Sequence, residues 1–180
     1  MSEGQAPVGK RPDLVLGVDP GLYGGFALVR VEHEGDRLVF RLYDNWPMPT
    51  RVMKTKPWGF DREIDLLNLQ GRLGKMVQDH GRLVMAVERQ LWLPGQGVRS
   101  TFRTGFNMGM LVGLLGCYAS HMVPFTPAGW KKLLGLGKSK RQSIERASYV
   151  FGVRADILTD GEAEAGLIAY AALGRIHHVF

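Results

Sequence analysis

The stretch LVLGVDPGLYGG, residues 14–25, decides the fold. Leu14 to Val18 is a short, nearly continuous apolar run, the pattern of a strand buried at the centre of a sheet. Asp19-Pro20-Gly21 ends it with a turn. Outward from that turn, Phe26–Val31 and Arg37–Tyr43 read as two more strands, with Glu34-Gly35-Asp36 turning the hairpin between them. Residues 45–60 hold three prolines and two tryptophans, Trp46 and Trp58, and read as a loop. Asp61 is placed to cap a helix that carries Ile64, Leu67, Leu73, Met76 and Val77 on roughly one face. Leu83 to Val87 is another buried strand, and it ends at Glu88.

After a loop at 89–99, a helix is expected over about 101–121. Gly105, Gly109 and Gly113 recur along it. Each costs about 1 kcal/mol of helix propensity relative to alanine, a cost that close packing would offset. Val123–Phe125 is a short strand, and Thr126-Pro127 reads as N-cap and first helical residue. A further helix starts at Ser139 and stops before Gly152. Thr159-Asp160-Gly161-Glu162 has the form of a capping box for a last helix running to about Leu173. The order β-β-β-α-β-α-β-α-α-α predicts an α/β fold. Its mixed five-stranded sheet has three antiparallel strands, then two parallel ones, with helices on both faces.

The 180 residues fit one domain, read as 13–180 after a disordered arm at 1–12 that is polar and rich in Gly and Pro. No run of about 18 apolar residues marks a membrane span, and the N-terminal residues lack the apolar core of a signal peptide. Membrane residence and export are therefore not expected. The single cysteine, Cys117, lies in an apolar stretch and reads as an inert packed thiol. A net charge of +6 and a pI near 9.7 point to a polyanionic partner, DNA or RNA before an anionic membrane.

The candidate chemistry lies in carboxylates. Asp19 ends the first strand and Glu88 the fourth, while Asp160 and Glu164 share one face of the last helix. If the two strands are parallel neighbours, Asp19 and Glu88 emerge together at the carboxyl edge, where open α/β sheets bind ligands. Glu162 points elsewhere on the helix and suits a cap. Taken singly, each acid has an ordinary explanation: a turn residue, a strand end, a helix cap, a solvated face. All of them, however, follow or sit within strongly apolar elements. Gathered in one cleft they would repel until protonated or held by a cation. Carboxylate oxygens are hard ligands suited to Mg²⁺ or Mn²⁺, and two such ions about 3.5–4 Å apart activate water and stabilise a leaving phosphodiester oxygen. No His or Cys cluster has zinc spacing, and His177-His178 reads as a solvent-exposed pair near a terminus.

Leu16-Gly17-Val18-Asp19-Pro20-Gly21, followed by Gly24-Gly25, resembles the first catalytic strand and turn of the RuvC-type Holliday junction resolvases, in the ribonuclease H-like superfamily. Val87-Glu88-Arg89-Gln90 resembles that family's second motif. Phe125-Thr126-Pro127 through Trp130-Lys131-Lys132-Leu133-Leu134-Gly135-Leu136 resembles its segment before the basic helix, and Asp160 through Ala169 its final acidic helix. The resemblance spans roughly residues 13–174 in order, and its last two segments look most like phage-encoded members.

The resemblance implies that Asp19, Glu88, Asp160 and Glu164 are metal-binding catalytic acids holding two Mg²⁺ ions, with Mn²⁺ able to substitute. It further implies a homodimer that nicks opposing strands of a four-way junction, leaving 5′-phosphate and 3′-hydroxyl ends, in the cytoplasm of a bacterial cell or a phage-infected host. Bacterial members place the last two acids three apart, whereas Asp160 and Glu164 are four apart. The helix after Glu88 is the family's dimer contact, which makes the Gly105, Gly109 and Gly113 row a candidate for close approach between subunits; packing within one subunit is the equal alternative. Family members also carry an aromatic soon after this Glu that stacks on unpaired bases, and Trp92 stands there.

Arg89, Arg99 and Arg103 flank the expected site, and Lys131, Lys132, Lys138, Lys140 and Arg141 form a second basic group. As a group they are expected to contact DNA phosphates. The same fold acting on flaps, other branched DNA or RNA–DNA hybrids is an alternative, as is an inactive junction-binding protein. An actin-like ATPase would need two such domains, more than 180 residues provide.

Overall fold

The computed structural model describes residues 12–54, 61–90 and 95–180. Apart from Pro12, the arm expected at 1–12 lies outside these residues, as do Trp58 and Trp92. The strands are β1 (Leu14–Asp19), β2 (Gly25–Glu34), β3 (Arg37–Pro47), β4 (Thr50–Val52), β5 (Arg62–Ile64), β6 (Leu83–Glu88) and β7 (Ala119–Phe125). The helices are α1 (Leu66–His80), α2 (Val98–Tyr118), α3 (Pro127–Leu133), α4 (Lys140–Phe151) and α5 (Asp160–Ile176). A five-stranded sheet runs in the order β3-β2-β1-β6-β7. β2 is antiparallel to both β1 and β3, and β6 is parallel to both β1 and β7. This is the mixed sheet expected from the sequence.

Two-residue alternation divides the core between the two faces of the sheet. Leu16 and Val18 of β1, with Met85 and Val87 of β6, pack beneath Leu69 and Leu73 of α1 and Leu111 and Leu115 of α2. Val15 of β1 and Ala86 of β6 pack on the other face with Trp130 of α3, Ala147 of α4 and Leu167 and Ile168 of α5. Gly17 also faces α5, so closely that a Cβ there would stand 1.9 Å from the Ala165 carbonyl oxygen. Helix α5 can therefore lie directly on β1, and Ala165, Ala169 and Ala172 keep that contact thin.

Several elements depart from expectation. β3 continues to Pro47, because Trp46 stacks on Phe26 with ring centroids 5.2 Å apart. β4, within the expected loop, pairs antiparallel with β5, within the expected helix, and Arg51 ties to the buried Glu63 at 2.6 Å. Since Arg62–Ile64 belong to β5, the cap of α1 is Asp65, which accepts from Asn68 N at 3.2 Å, and not Asp61. Leu67 faces solvent. Helix α2 ends at Tyr118, earlier than expected, because β7 already begins at Ala119. Cys117 is exposed and not packed as expected.

Gly105, Gly109 and Gly113 of α2 have nothing within 4 Å of where a Cβ would stand. The described residues of the same subunit do not use them. At the end of the sheet away from the Asp19 edge, His177 Nε2 lies 3.1 Å from the Pro12 carbonyl oxygen. Phe180 packs back on Tyr170 with centroids 5.3 Å apart. Among the described residues no helix is long and apolar enough to cross a membrane.

Candidate active site

The parallel register pairs Val15 with Val84 and continues to Val18 with Val87, so Asp19 and Glu88 leave adjacent strands side by side. The alternation that sends Val15 and Gly17 toward α5 sends Asp19 there too, and Val84 and Ala86 carry Glu88 to the same face. Both acids therefore project from the carboxyl edge toward the start of α5.

Helix α5 begins there because its N-terminus is fixed on three sides. Thr159 and Glu162 form the expected capping box: Thr159 N donates to Glu162 Oε2 at 2.9 Å and Glu162 N to Thr159 Oγ1 at 3.3 Å. Glu162 is buried, and its other oxygen accepts from Asn45 Nδ2 at 2.9 Å, tying the helix to β3. Gly161 forms a parallel bridge with Gly24, and a Cβ on Gly161 would come within 2.5 Å of the Gly24 backbone. A Cβ on Gly24 would meet the Asp19 carbonyl oxygen at 2.2 Å. Without side chains at these glycines, the first turn of α5 closes on the Asp19 turn. Asp160 and, one turn later, Glu164 join the strand acids.

The charges register this proximity. Burial first, then the negative charge of Glu88, push the Asp19 carboxyl up to about 7; Glu164 and Asp160 add to the rise, and the Gly21 N–H, 3.3 Å from Asp19 Oδ1, opposes it. Burial likewise raises Glu88, reinforced by Glu164 and opposed by the Trp130 indole and by Lys131.

Basic and polar donors hold three of the four acids. Trp130 Nε1 donates to Glu88 Oε2 at 2.6 Å. Lys131 Nζ and the buried Ser143 Oγ donate to Glu164 Oε1 at 2.7 and 3.0 Å. Lys140 Nζ pairs with Asp160, which raises the Lys140 ammonium. In this arrangement no three His, Cys, Asp or Glu side chains among the described residues converge on one ion position. The donor set nevertheless fits a hard divalent cation. It consists of four carboxylates, hard oxygen ligands, and the Asp19 carboxyl is raised by burial first and then by the charges of the other three, both of which a bound cation would offset.

The remaining expected residues are dispersed. Arg141 pairs with Glu145 at 2.7 Å on the surface of α4. Arg99 and Arg103 line a shallow cavity at the start of α2, and Arg89 lines a groove between α2 and β7 with Met108, Val112, Met122 and Pro124. Lys132 and Lys138 are exposed. Sequence reasoning missed Trp130 and Ser143 as partners of the acids. Their contacts bridge 42 and 21 residues, respectively, and no local spacing announces them.

No family model and no curated protein sequence matches the chain. Solved structures do. The Thermus thermophilus RuvC structure is 19% identical with a TM-score of 0.65, over 91% of this chain and 96% of that one. T. thermophilus RuvC in complex with Holliday junction substrate is 18% identical with a TM-score of 0.64, over 90% and 94%. The chain thus has the fold of these RuvC structures.

Proposed function

We propose that this chain is a divalent-metal-dependent endonuclease that resolves four-way DNA junctions by paired nicks, leaving 5′-phosphate and 3′-hydroxyl ends. The observation that carries the reading is the meeting of Asp19 and Glu88, from adjacent parallel strands, with Asp160 and Glu164 at the start of α5. The RuvC fold supports it, since one solved structure with that fold contains a Holliday junction substrate.

In this reading Asp19, Glu88, Asp160 and Glu164 hold two Mg²⁺ ions, with Mn²⁺ able to replace them. Bound there, the ions would polarise a water and offset charge at the leaving oxygen. The chain's own part is to fix the acids. The β1–β6 ladder sets the strand pair, and the Gly24–Gly161 contact sets the helix pair against it. Lys131 and Lys140 reach the same acids, so they stand within a side chain's length of a phosphate docked there. The net charge of +6 favours a polyanionic substrate. Arg89, Arg99, Arg103, Lys132, Lys138 and Arg141 serve as phosphate contacts, and Trp92, outside the described residues, as a base-stacking side chain.

Paired nicks need two sites, and α2 is the surface for a second copy. Two of its open glycines, Gly105 and Gly109, line a groove of about 520 Å³ with Thr101, Thr104, Met108 and Val112. A neighbouring helix can approach closely there. Incubating the protein with a synthetic four-way junction and Mg²⁺ tests the reading: symmetric nicks are expected, with linear duplex left intact. Equal cutting of linear duplex removes junction selectivity. Binding without cleavage in any divalent ion identifies a junction-binding protein instead.

A further inference from the structure

Glu88 leaves β6 with one carboxylate oxygen already engaged. Its partner, Trp130, is fully buried, at 0% exposure, and its indole N–H points at Glu88 Oε2 from 2.6 Å. The route to that contact is short. Phe125, the last residue of β7, lies opposite Glu88 in the parallel ladder. Thr126 then caps α3 by accepting from Gly129 N at 3.1 Å, with Pro127 as the first helical residue. One turn of helix delivers Trp130 beneath Glu88, into a core shared with Ala86, Ala163 and Leu167. The backbone, the cap and the core therefore all fix where the indole nitrogen stands.

A buried indole N–H without an acceptor costs free energy; that of Trp46 has none among the described residues, whereas that of Trp130 takes a carboxylate. Here the acceptor belongs to the acid group at the edge of the sheet, on a side chain that would otherwise sample several rotamers. With Oε2 held, the plane of the Glu88 carboxylate is fixed, and Oε1 together with the second lone pair of Oε2 is left for a cation. We propose that Trp130 is a positioning residue that locks the Glu88 carboxylate for divalent cation binding through its indole N–H. This rests on the nuclease reading of the acids. Groups that orient metal ligands from behind commonly account for about ten- to a hundredfold in metal affinity.

The test is a double-mutant cycle on the full chain, read by Mn²⁺ titration with electron paramagnetic resonance. Trp130→Phe keeps a ring in the core and beneath the Lys131 ammonium, which lies 5.0 Å from the ring centroid, and removes the N–H. Mn²⁺ binding is expected to weaken about tenfold, while binding of a four-way junction in EDTA stays at the wild-type level. In a Glu88→Ala background, which removes the acceptor, the same Trp130→Phe change is expected to add little further loss. A structural defect would instead add equally in both backgrounds, and that result overturns the proposal. So does wild-type Mn²⁺ affinity in Trp130→Phe.

If Trp130→Phe does not fold, 3-benzothienylalanine placed at position 130 preserves the shape of the indole without its N–H and must give the same loss. Wild-type protein that binds no Mn²⁺ overturns the nuclease reading, and the role of Trp130 with it. Wild-type protein that binds Mn²⁺ while Trp130→Phe binds it equally overturns the role of Trp130 alone.

Discussion

Asp19 sits where burial and three neighbouring acids oppose its charge, and its carboxyl rises from 3.8 to about 7. In the unfolded chain the same group ionises near its ordinary value. Between those two values the folded protein holds a proton that the unfolded chain has released. The stability this gives is fully present below about pH 4 and is lost as pH rises through about 7. Calorimetry of the metal-free protein should therefore show a melting temperature that falls from pH 5 to pH 8. The fall should be smaller in Asp19→Asn, which carries no charge to desolvate. The same variant should lose nicking by roughly a thousandfold, several kcal/mol of transition-state stabilisation. A variant that melts higher at pH 8 and no longer cuts would show stability being sacrificed at this residue for function. Asp19 and Glu88 were legible in the sequence because apolar runs announce where strands end. The contact of Trp130 with Glu88 was not legible, since the two lie 42 residues apart.

Helix α5 carries half of the acid set, and its seat is made of missing side chains. Gly161→Ala would place a Cβ 2.5 Å from the Gly24 backbone, and Gly17→Ala one 1.9 Å from the Ala165 carbonyl oxygen. Backbone cannot yield as a flexible side chain can. Each change should cost about 1–3 kcal/mol or more in urea unfolding. Gly161→Ala should also slow nicking by moving Asp160 away from Asp19. Thr159→Ala removes half of the capping box and should cost about 1 kcal/mol. The capping box, the Thr126-Pro127 start and the Ser139–Gly152 limits of α4 were readable because their signals are local. The β4–β5 hairpin was not, because strands of three residues are too short to display alternation. The start of α2 was equally silent, since Gly97 provides no side-chain cap.

At the scale of the molecule, four acids near one sheet edge sit in a chain of net charge +6, so under the proposed function the basic surface supplies the affinity for DNA. If the interface neutralises six or more phosphates, raising salt from about 50 to 200 mM should weaken junction binding by roughly a thousandfold. Gly109→Arg puts a charge into the open face of α2 without touching the described interior of the subunit. Sedimentation should then report monomers. A plasmid bearing a cruciform should be converted to nicked circles, whereas wild-type protein should yield linear product. The mixed sheet was legible from buried apolar runs and connection lengths, but the sequence left open whether β1 and β6 are neighbours and whether the glycine row packs inward. Its open Cβ positions favour the outward choice. The two ends of the described chain, joined where His177 meets Pro12, hang from the pole opposite the acids. A fluorescent group attached through a cysteine at the exposed His178 would stand away from the acids, so labelling there should leave nicking intact.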